Sequence, residues 1–325
     1  MTSQRRRLGA IAHSLGANAT SAATADGALV DAPAVAERRI DAAKLHAAMC
    51  RVLGAIGAHA DVQQMVATHL IEANLRGHDS HGIQMVSKYM KAFQQGNLEP
   101  NGRMEVVKDE GPVFIVDGGQ DPSPGGDKKG GFGQVIALEA TVRAIEKAKA
   151  HGVCLMGLRN TSHIGRAGTY AEMCSAAGLV CIQFANATGH APLVAAFGGI
   201  EARMGTNPIT ISVPLPGETT DLTLDFATSV VASGKVVVKA NRKEQLAIGT
   251  LVDPEGNPTT DPEPFARWRE GALLPFGLHK GSGLAVMCEL LGGVLTGGNT
   301  MESFPTDRQT AVNNYLAVRF LLTFD

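Results

Sequence analysis

The sequence predicts an α/β protein. Three observations carry that expectation. Hydrophobic residues make up 44% of 325, enough to build a sizeable core and too many for a disordered chain. Between Val113 and Phe184, short β-branched runs alternate with apolar stripes at helical spacing. Glycine, at 38 residues, falls mostly at the joins between these segments.

The elements follow in order. Leu45, Met49, Val52 and Ile56 recur as one helical stripe, and Val62, Met65, Val66, His69 and Leu70 as a second, with Gly57 between them. Ser87 to Gln95 predicts a third helix, closed by Gly96. Val113 to Asp117 (VFIVD) predicts a buried strand that completes a helical N-terminal part, 39–118. Gly118 to Gly131 is too rich in Gly, Pro and charge to join a core, so 119–131 is expected to be an inserted loop. Phe132 to Ala150 predicts a helix with Val135, Leu138, Val142 and Ile145 on one face, stopped at Gly152. Val153–Leu158 (strand), Gly168–Ala177 (helix), Val180–Phe184 (strand), Ile209–Val213 and Leu222–Phe226 (strands) fill out a second part, 132–275. A last helix, Leu278 to Leu295, opens the segment 276–325.

Composition narrows the function. A formal net charge of −2 and 5% aromatic residues speak against nucleic acid and anionic membranes as partners. No apolar run reaches the roughly 18 residues of a membrane span. Cys50, Cys154, Cys174, Cys181 and Cys288 are odd in number and form no C-x-x-C pair, which suits buried, reduced thiols and a cytoplasmic protein. Residues 1–38 stand apart. Arg5, Arg6 and Arg7 sit among Ala and Ser with no acid before Asp26. That composition fits a disordered tail, or a mitochondrial transit peptide.

Several polar clusters could carry chemistry. RGHDSHGI (Arg76–Ile83) places His78, Asp79, Ser80 and His81 after a long helix; an imidazole can shuttle a proton near neutrality, and a helix cap with solvated histidines is the alternative. NTSHIGR (Asn160–Arg166) joins a strand to a helix. There Arg166 could clamp a carboxylate, or Thr161 or Ser162 could simply cap the helix. GTNP (Gly205–Pro208), DFATS (Asp225–Ser229) and HKGSG (His279–Gly283) are turn and helix-start segments, and Lys280 could face a phosphate. Gly131-Phe132-Gly133 fails as a dinucleotide fingerprint, because Ile136 takes the third glycine position and no acid closes the next strand. Gly82 ends the helix that would have put His78 and His81 on one face, so no metal site is expected. No P-loop and no G-x-S-x-G elbow occurs.

Taken in order, RGHDSHGI, NTSHIGR, RMGTNPIT, LDFATS, GNPTTDP and HKGSGLAVMCELLGG resemble the malate/L-lactate dehydrogenase family of the second type, and its hydroxycarboxylate dehydrogenase branch most of all. The resemblance spans roughly Ile40 to Gly298. It implies a non-Rossmann fold with a helical N-terminal part and a mixed-sheet cofactor domain. It also implies a homodimer, and hydride transfer between NAD or NADP and a 2-oxo or 2-hydroxy acid. In that likeness His81 donates the proton to the carbonyl, Asp79 and Ser80 hold it, and Arg166 is the candidate for the substrate carboxylate. His163, Thr206, Asn207, Asp225, Thr228, Ser229, His279 and Lys280 are expected at the cofactor side. Three departures stand out. Met85 occupies a position where many members carry Arg. The 119–131 loop interrupts a usually direct junction. Beyond Gly298 the motifs fade where the family continues with another strand and a helical segment. A non-catalytic remnant, or a member acting on an imine, sulfolactate or ureidoglycolate, is the alternative.

Overall fold

The computed structural model describes residues 39–120, 129–215, 221–301 and 312–321. Expectations for 1–38, for 121–128 of the inserted loop, and for 302–311 and 322–325 lie outside the described residues.

The N-terminal helices are α1 (Ala42–Ala55), α2 (Ala60–Leu75) and α3 (Val86–Gln94). Gly57, at φ +85°, makes the corner between the first two, a conformation that side-chain-bearing residues rarely adopt. Asp41 caps α1 by accepting from the Lys44 amide at 2.9 Å. In α2 the predicted face holds: Val62, Val66, His69 and Leu70 are all buried. In α1 the buried residues are Cys50 and Leu53, so its inner face is rotated from the predicted stripe, of which Met49 and Ile56 pack at the margin. These helices share a core with Phe132 and Val135 at the start of α4 (Gly133–His151).

The strands follow as β1 (Glu105–Glu110), β2 (Val113–Asp117), β3 (Val153–Ser162), β4 (Leu179–Thr188), β5 (Val194–Ala195), β6 (Ala202–Met204), β7 (Ile209–Val213), β8 (Leu222–Phe226), β9 (Leu251–Val252), β10 (Pro258–Thr259), β11 (Ala272–Leu273) and β12 (Val312–Leu321). Seven of them form one mixed sheet in the order β1-β2-β3-β12-β4-β7-β8. β12 runs antiparallel to both β3 and β4 and separates them. The sheet therefore draws strands from 39–118, 132–275 and 276–325 alike.

Helix α4 and α5 (Gly168–Ala176) cover one face of this sheet. The face that α4 buries is built of Ala137, Ala140, Ala144 and Ala148, while Val142 is exposed, contrary to its place in the predicted stripe. Small side chains let the helix lie close to the strands, and close packing outweighs the larger apolar surface of valine. On the other face lies α8 (His279–Cys288), which continues as a π-helical turn, Glu289–Val294. Gly292 rests so near the sheet that a Cβ there would stand 3.1 Å from the Asn186 amide nitrogen. The predicted helix from Leu278 to Leu295 is thus two kinds of helix.

The remaining short strands form a second sheet, β10-β9-β11-β5-β6. With α6 (Ser233–Arg242), α7 (Glu263–Trp268) and α8 it encloses a separate core of Leu193, Val194, Val236, Leu251, Phe265, Leu273 and Ala285.

Candidate active site

The candidate site forms where the α2–α3 connection, the end of β3, β8 and the start of α6 meet. Asp79, Ser80 and His81 form a single 3-10 turn after α2. Such a turn spaces successive side chains about 120° apart, so neighbours diverge. Ser80 Oγ lies 2.9 Å from His81 Nδ1. Asp79 points elsewhere and accepts from Asn74 Nδ2 at 2.6 Å, while Asn74 Oδ1 accepts from the Ile83 amide at 2.9 Å. Asp79 thus fastens the loop, whereas Ser80 touches the imidazole. Gly82 is needed here, because a Cβ would stand 2.2 Å from Asn74 Oδ1.

The His81 ring stacks on that of His163, with centroids 5.5 Å apart and planes 18° from parallel. His163 leaves the end of β3, and its Nδ1 lies 3.1 Å from Tyr89 Oη of α3. Tyr89 Oη in turn accepts from Gln134 Nε2 of α4. Burial pushes His81 down to about 4, against an opposing pull from the Asp225 carboxylate and with help from the charges of His78, Lys88 and Arg166. Burial also holds His163 well below the usual histidine value, assisted by His81 and Lys88. Both rings are therefore neutral at pH 7.

Gly131-Phe132-Gly133 serves packing rather than phosphate. A Cβ on Gly133 would stand 2.1 Å from Ser162 O and 2.6 Å from His163 O, and one on Gly131 would stand 2.2 Å from Gly102 O. Only glycine lets α4 begin against the end of β3.

Arg166 is buried and already partnered. Its Nη1 donates to Glu172 Oε2 at 3.0 Å, and Nη2 donates to Oε1 of the same carboxylate. Burial works against this charge, but Glu172 and then Asp225 more than offset it and hold Arg166 ionised. The guanidinium fork expected to hold a substrate carboxylate is thus filled by a glutamate of this chain. The Arg166 amide donates to His69 Nε2 at 2.8 Å, and Gly165, at φ +76°, packs against that ring. Burial, with the charges of His81 and Arg166, drives His69 down to about 3. Met85, at the other expected anchor position, lies in the helical core.

Asp225 ends β8 between these groups. Its Oδ2 accepts from the Gly168 amide at 2.9 Å, at the start of α5, and its Oδ1 accepts from Thr210 Oγ1 at 3.0 Å. Three residues on, Thr228 donates to Thr206 O through both its amide and its hydroxyl. Thr228 O accepts from the Phe276 amide at 3.0 Å, which brings the start of α8, with His279 and Lys280, to the same region. Lys280 is exposed and has no hydrogen-bond partner among the described residues. Ser229 is buried, and its hydroxyl donates to Val231 O. Asn207 is buried too: its Nδ2 donates to Ala285 O at 3.1 Å and to Glu289 Oε1 at 2.7 Å, so its side chain ties the GTNP turn to α8.

A model of the malate/L-lactate dehydrogenase family matches residues 40–325, past Gly298 where the motif blocks end. The chain belongs to that family. It is 41% identical over 277 residues to hydroxycarboxylate dehydrogenase B of Escherichia coli strain K12, covering 85% of this chain and 73% of that protein. It is 40% identical over 267 residues to an L-lactate dehydrogenase of Cupriavidus necator, covering 82% and 74%. The crystal structure of a dehydrogenase from Sinorhizobium meliloti superposes with a TM-score of 0.76 at 31% identity, covering 87% of this chain and 79% of that one.

Family membership places the polar clusters in a dehydrogenase, and the fold adds residues that motif reading missed. Asn74, Tyr89, Gln134 and Glu172 each support a candidate residue. Asn74 and Glu172 could have been suspected as polar residues within one or two helical turns of a motif. Tyr89 and Gln134 could not, since they meet His163 only through tertiary packing.

Proposed function

We propose that this member of the family transfers a hydride between a nicotinamide cofactor, NAD or NADP, and a 2-oxo or 2-hydroxy acid, with His81 as the proton donor and acceptor. The observation that carries this is the His81–His163 stack. Its two rings are steadied from opposite sides by Ser80 and by the Tyr89–Gln134 pair, beside the Asp225 carboxylate. When bound, the cofactor gives the hydride to the ketone carbon or takes it from the alcohol carbon. In reduction His81 gives its proton to the carbonyl oxygen, yielding the hydroxyl; in oxidation the neutral ring takes that proton back. For the second direction Nδ1–H donates to Ser80 Oγ and leaves the Nε2 lone pair free. Asp225 stabilises the imidazolium in between.

The residues present fit a dinucleotide. Lys280, unpartnered in the first turn of the ten-residue α8, suits an anionic diphosphate, and Thr206, Thr228 and Ser229 sit on the backbone segments bonded to that turn. Val286, Met287, Leu290, Val294 and Leu295 expose an apolar face along α8 and its continuation, which supports a homodimer.

The test follows NADH and NADPH absorbance with a panel of 2-oxo acids. Oxidation of at least one cofactor is expected, and His81→Ala should lower kcat about 100-fold or more. A folded chain that oxidises neither cofactor with any 2-oxo acid would overturn the proposal.

A further inference from the structure

The proposed reaction leaves one group without a partner. A 2-oxo acid carries a carboxylate beside the reacting carbon, and neutral His81 and His163 offer it no charge. Arg166 is filled by Glu172, and Met85 is apolar and buried. The cation must come from elsewhere.

Two candidates face this site. Lys88 precedes Tyr89 on α3, is exposed, and has no hydrogen bond or ion pair among the described residues. Its charge acts on His81, His163 and His190. Arg269 sits just after α7 at φ +60°, with its guanidinium over the Phe265 ring at 5.3 Å. Its Nη1 donates to Ser233 Oγ at 3.0 Å, on the first residue of α6. That helix lies directly on Ser80: a Cβ on Gly234 would stand 2.5 Å from Ser80 Cβ. Arg269 is therefore tethered to the element that roofs His81. Its charge acts on Lys88 and on His190, and no carboxylate pairs with it among the described residues. His190 donates its Nδ1–H to Ala191 O at 2.7 Å, which leaves Nε2 as its free edge.

Two cations that repel one another, with no counterion and three histidines beside them, are costly unless an anion enters. Lys88 is the one whose charge reaches the stacked histidines; Arg269 approaches from the opposite wall. Taking the 2-oxo acid reading above as given, we propose that these two residues hold the two acidic ends of one substrate. Lys88 takes the carboxylate beside the reacting carbon, and Arg269 takes a second anionic group at the far end. The preferred substrates are then 2-oxo and 2-hydroxy diacids, over monoacids of the lactate type.

Calorimetric titration with L-malate and L-lactate, each in the presence of NADH so that no turnover occurs, tests this without relying on activity. The wild-type chain should bind malate at least 10-fold more tightly than lactate. Arg269→Ala should bring malate to the level of lactate and leave lactate unchanged, with Arg269→Lys restoring part of the difference. Lys88→Ala should weaken both acids 10-fold or more. Both side chains are exposed, so an unchanged melting temperature is the expected control. Malate binding unaffected by Arg269→Ala, an equal loss for both acids in that variant, no binding of either acid, or a loss confined to NADH would each overturn the proposal. A chain that reduces 2-oxo acids but fails this test keeps the dehydrogenase reading and loses the anion pair. One that discriminates the acids as described but turns over none does the reverse.

Discussion

His81 shows how environment selects a role for one side chain. Burial holds it at about 4, so the free protein at pH 7 carries a base ready to accept a proton and very little acid ready to give one. The two directions of the proposed reaction should therefore respond to pH in opposite ways. The kcat/KM for oxidising a hydroxy acid should stay nearly flat from pH 6 to 8. The kcat/KM for reducing a 2-oxo acid should rise as pH falls, approaching tenfold per unit above the pKa of the free ring. Initial rates in both directions across that range measure it, and parallel profiles would remove His81 as the titrating group. The motif SHG pointed to His81 because few residues shuttle protons near neutrality. Asp79 was legible as part of the cluster but not as a loop anchor, because the 3-10 turn that rotates it away is not written in the motif. The clamp expected at Arg166 was legible only as a charge; that Glu172 fills its fork depends on how the loop before α5 folds back.

At the scale of elements, glycines divide into those that admit no side chain and those that merely lack one. Gly133 begins α4 with its missing Cβ 2.1 Å from a backbone carbonyl that cannot move without β3. Gly283, inside α8, has nothing within 4 Å. Gly133→Ala should cost roughly 1–3 kcal/mol or more and lower turnover by displacing His163. Gly283→Ala should stabilise by about 0.5–1 kcal/mol through helix propensity alone. Denaturant unfolding of both variants checks the contrast, and equal effects would refute it. The long elements were legible: α2, α4, β2, β7 and β8 were bounded to within about two residues, because periodicity and flanking glycines agree there. β1 was not, since EVVKDE is exposed throughout and shows no apolar alternation. β12 was missed because Arg319 interrupts its apolar run. That side chain is fully buried, with Nε donating to Cys174 Sγ at 3.0 Å and Nη2 donating to Thr141 Oγ1 at 3.3 Å, an arrangement no local pattern announces.

For the whole molecule, the buried histidines tie stability to pH. His69 at about 3 and His81 at about 4 both lie below the ordinary histidine value near 6.5. Between those limits the unfolded chain binds protons that the folded chain refuses. Stability contributed by the neutral rings is thus complete above about pH 6.5 and is lost as pH falls toward 4 and then 3. Each group adds a slope of at most about 1.4 kcal/mol per pH unit. The melting temperature should fall from pH 7 to pH 5, and His69→Gln should flatten that fall while lowering stability at pH 7. An unaltered slope in the variant would show that other groups control acid unfolding. The α/β class and the family were legible from ordered motifs. How the segments share one sheet was not, because strand neighbours far apart in sequence leave no periodic trace.

The position of β12 sets the order in which this molecule can assemble. It joins β3 and β4, yet it emerges from synthesis more than a hundred residues after either has left the ribosome. Until then the two halves of the sheet present facing edges with unsatisfied backbone groups, the form of surface that captures strands from other chains. Closure of so long a loop is slow. A nascent chain stalled before residue 312 should therefore depend on holding chaperones in a way that the finished sheet does not.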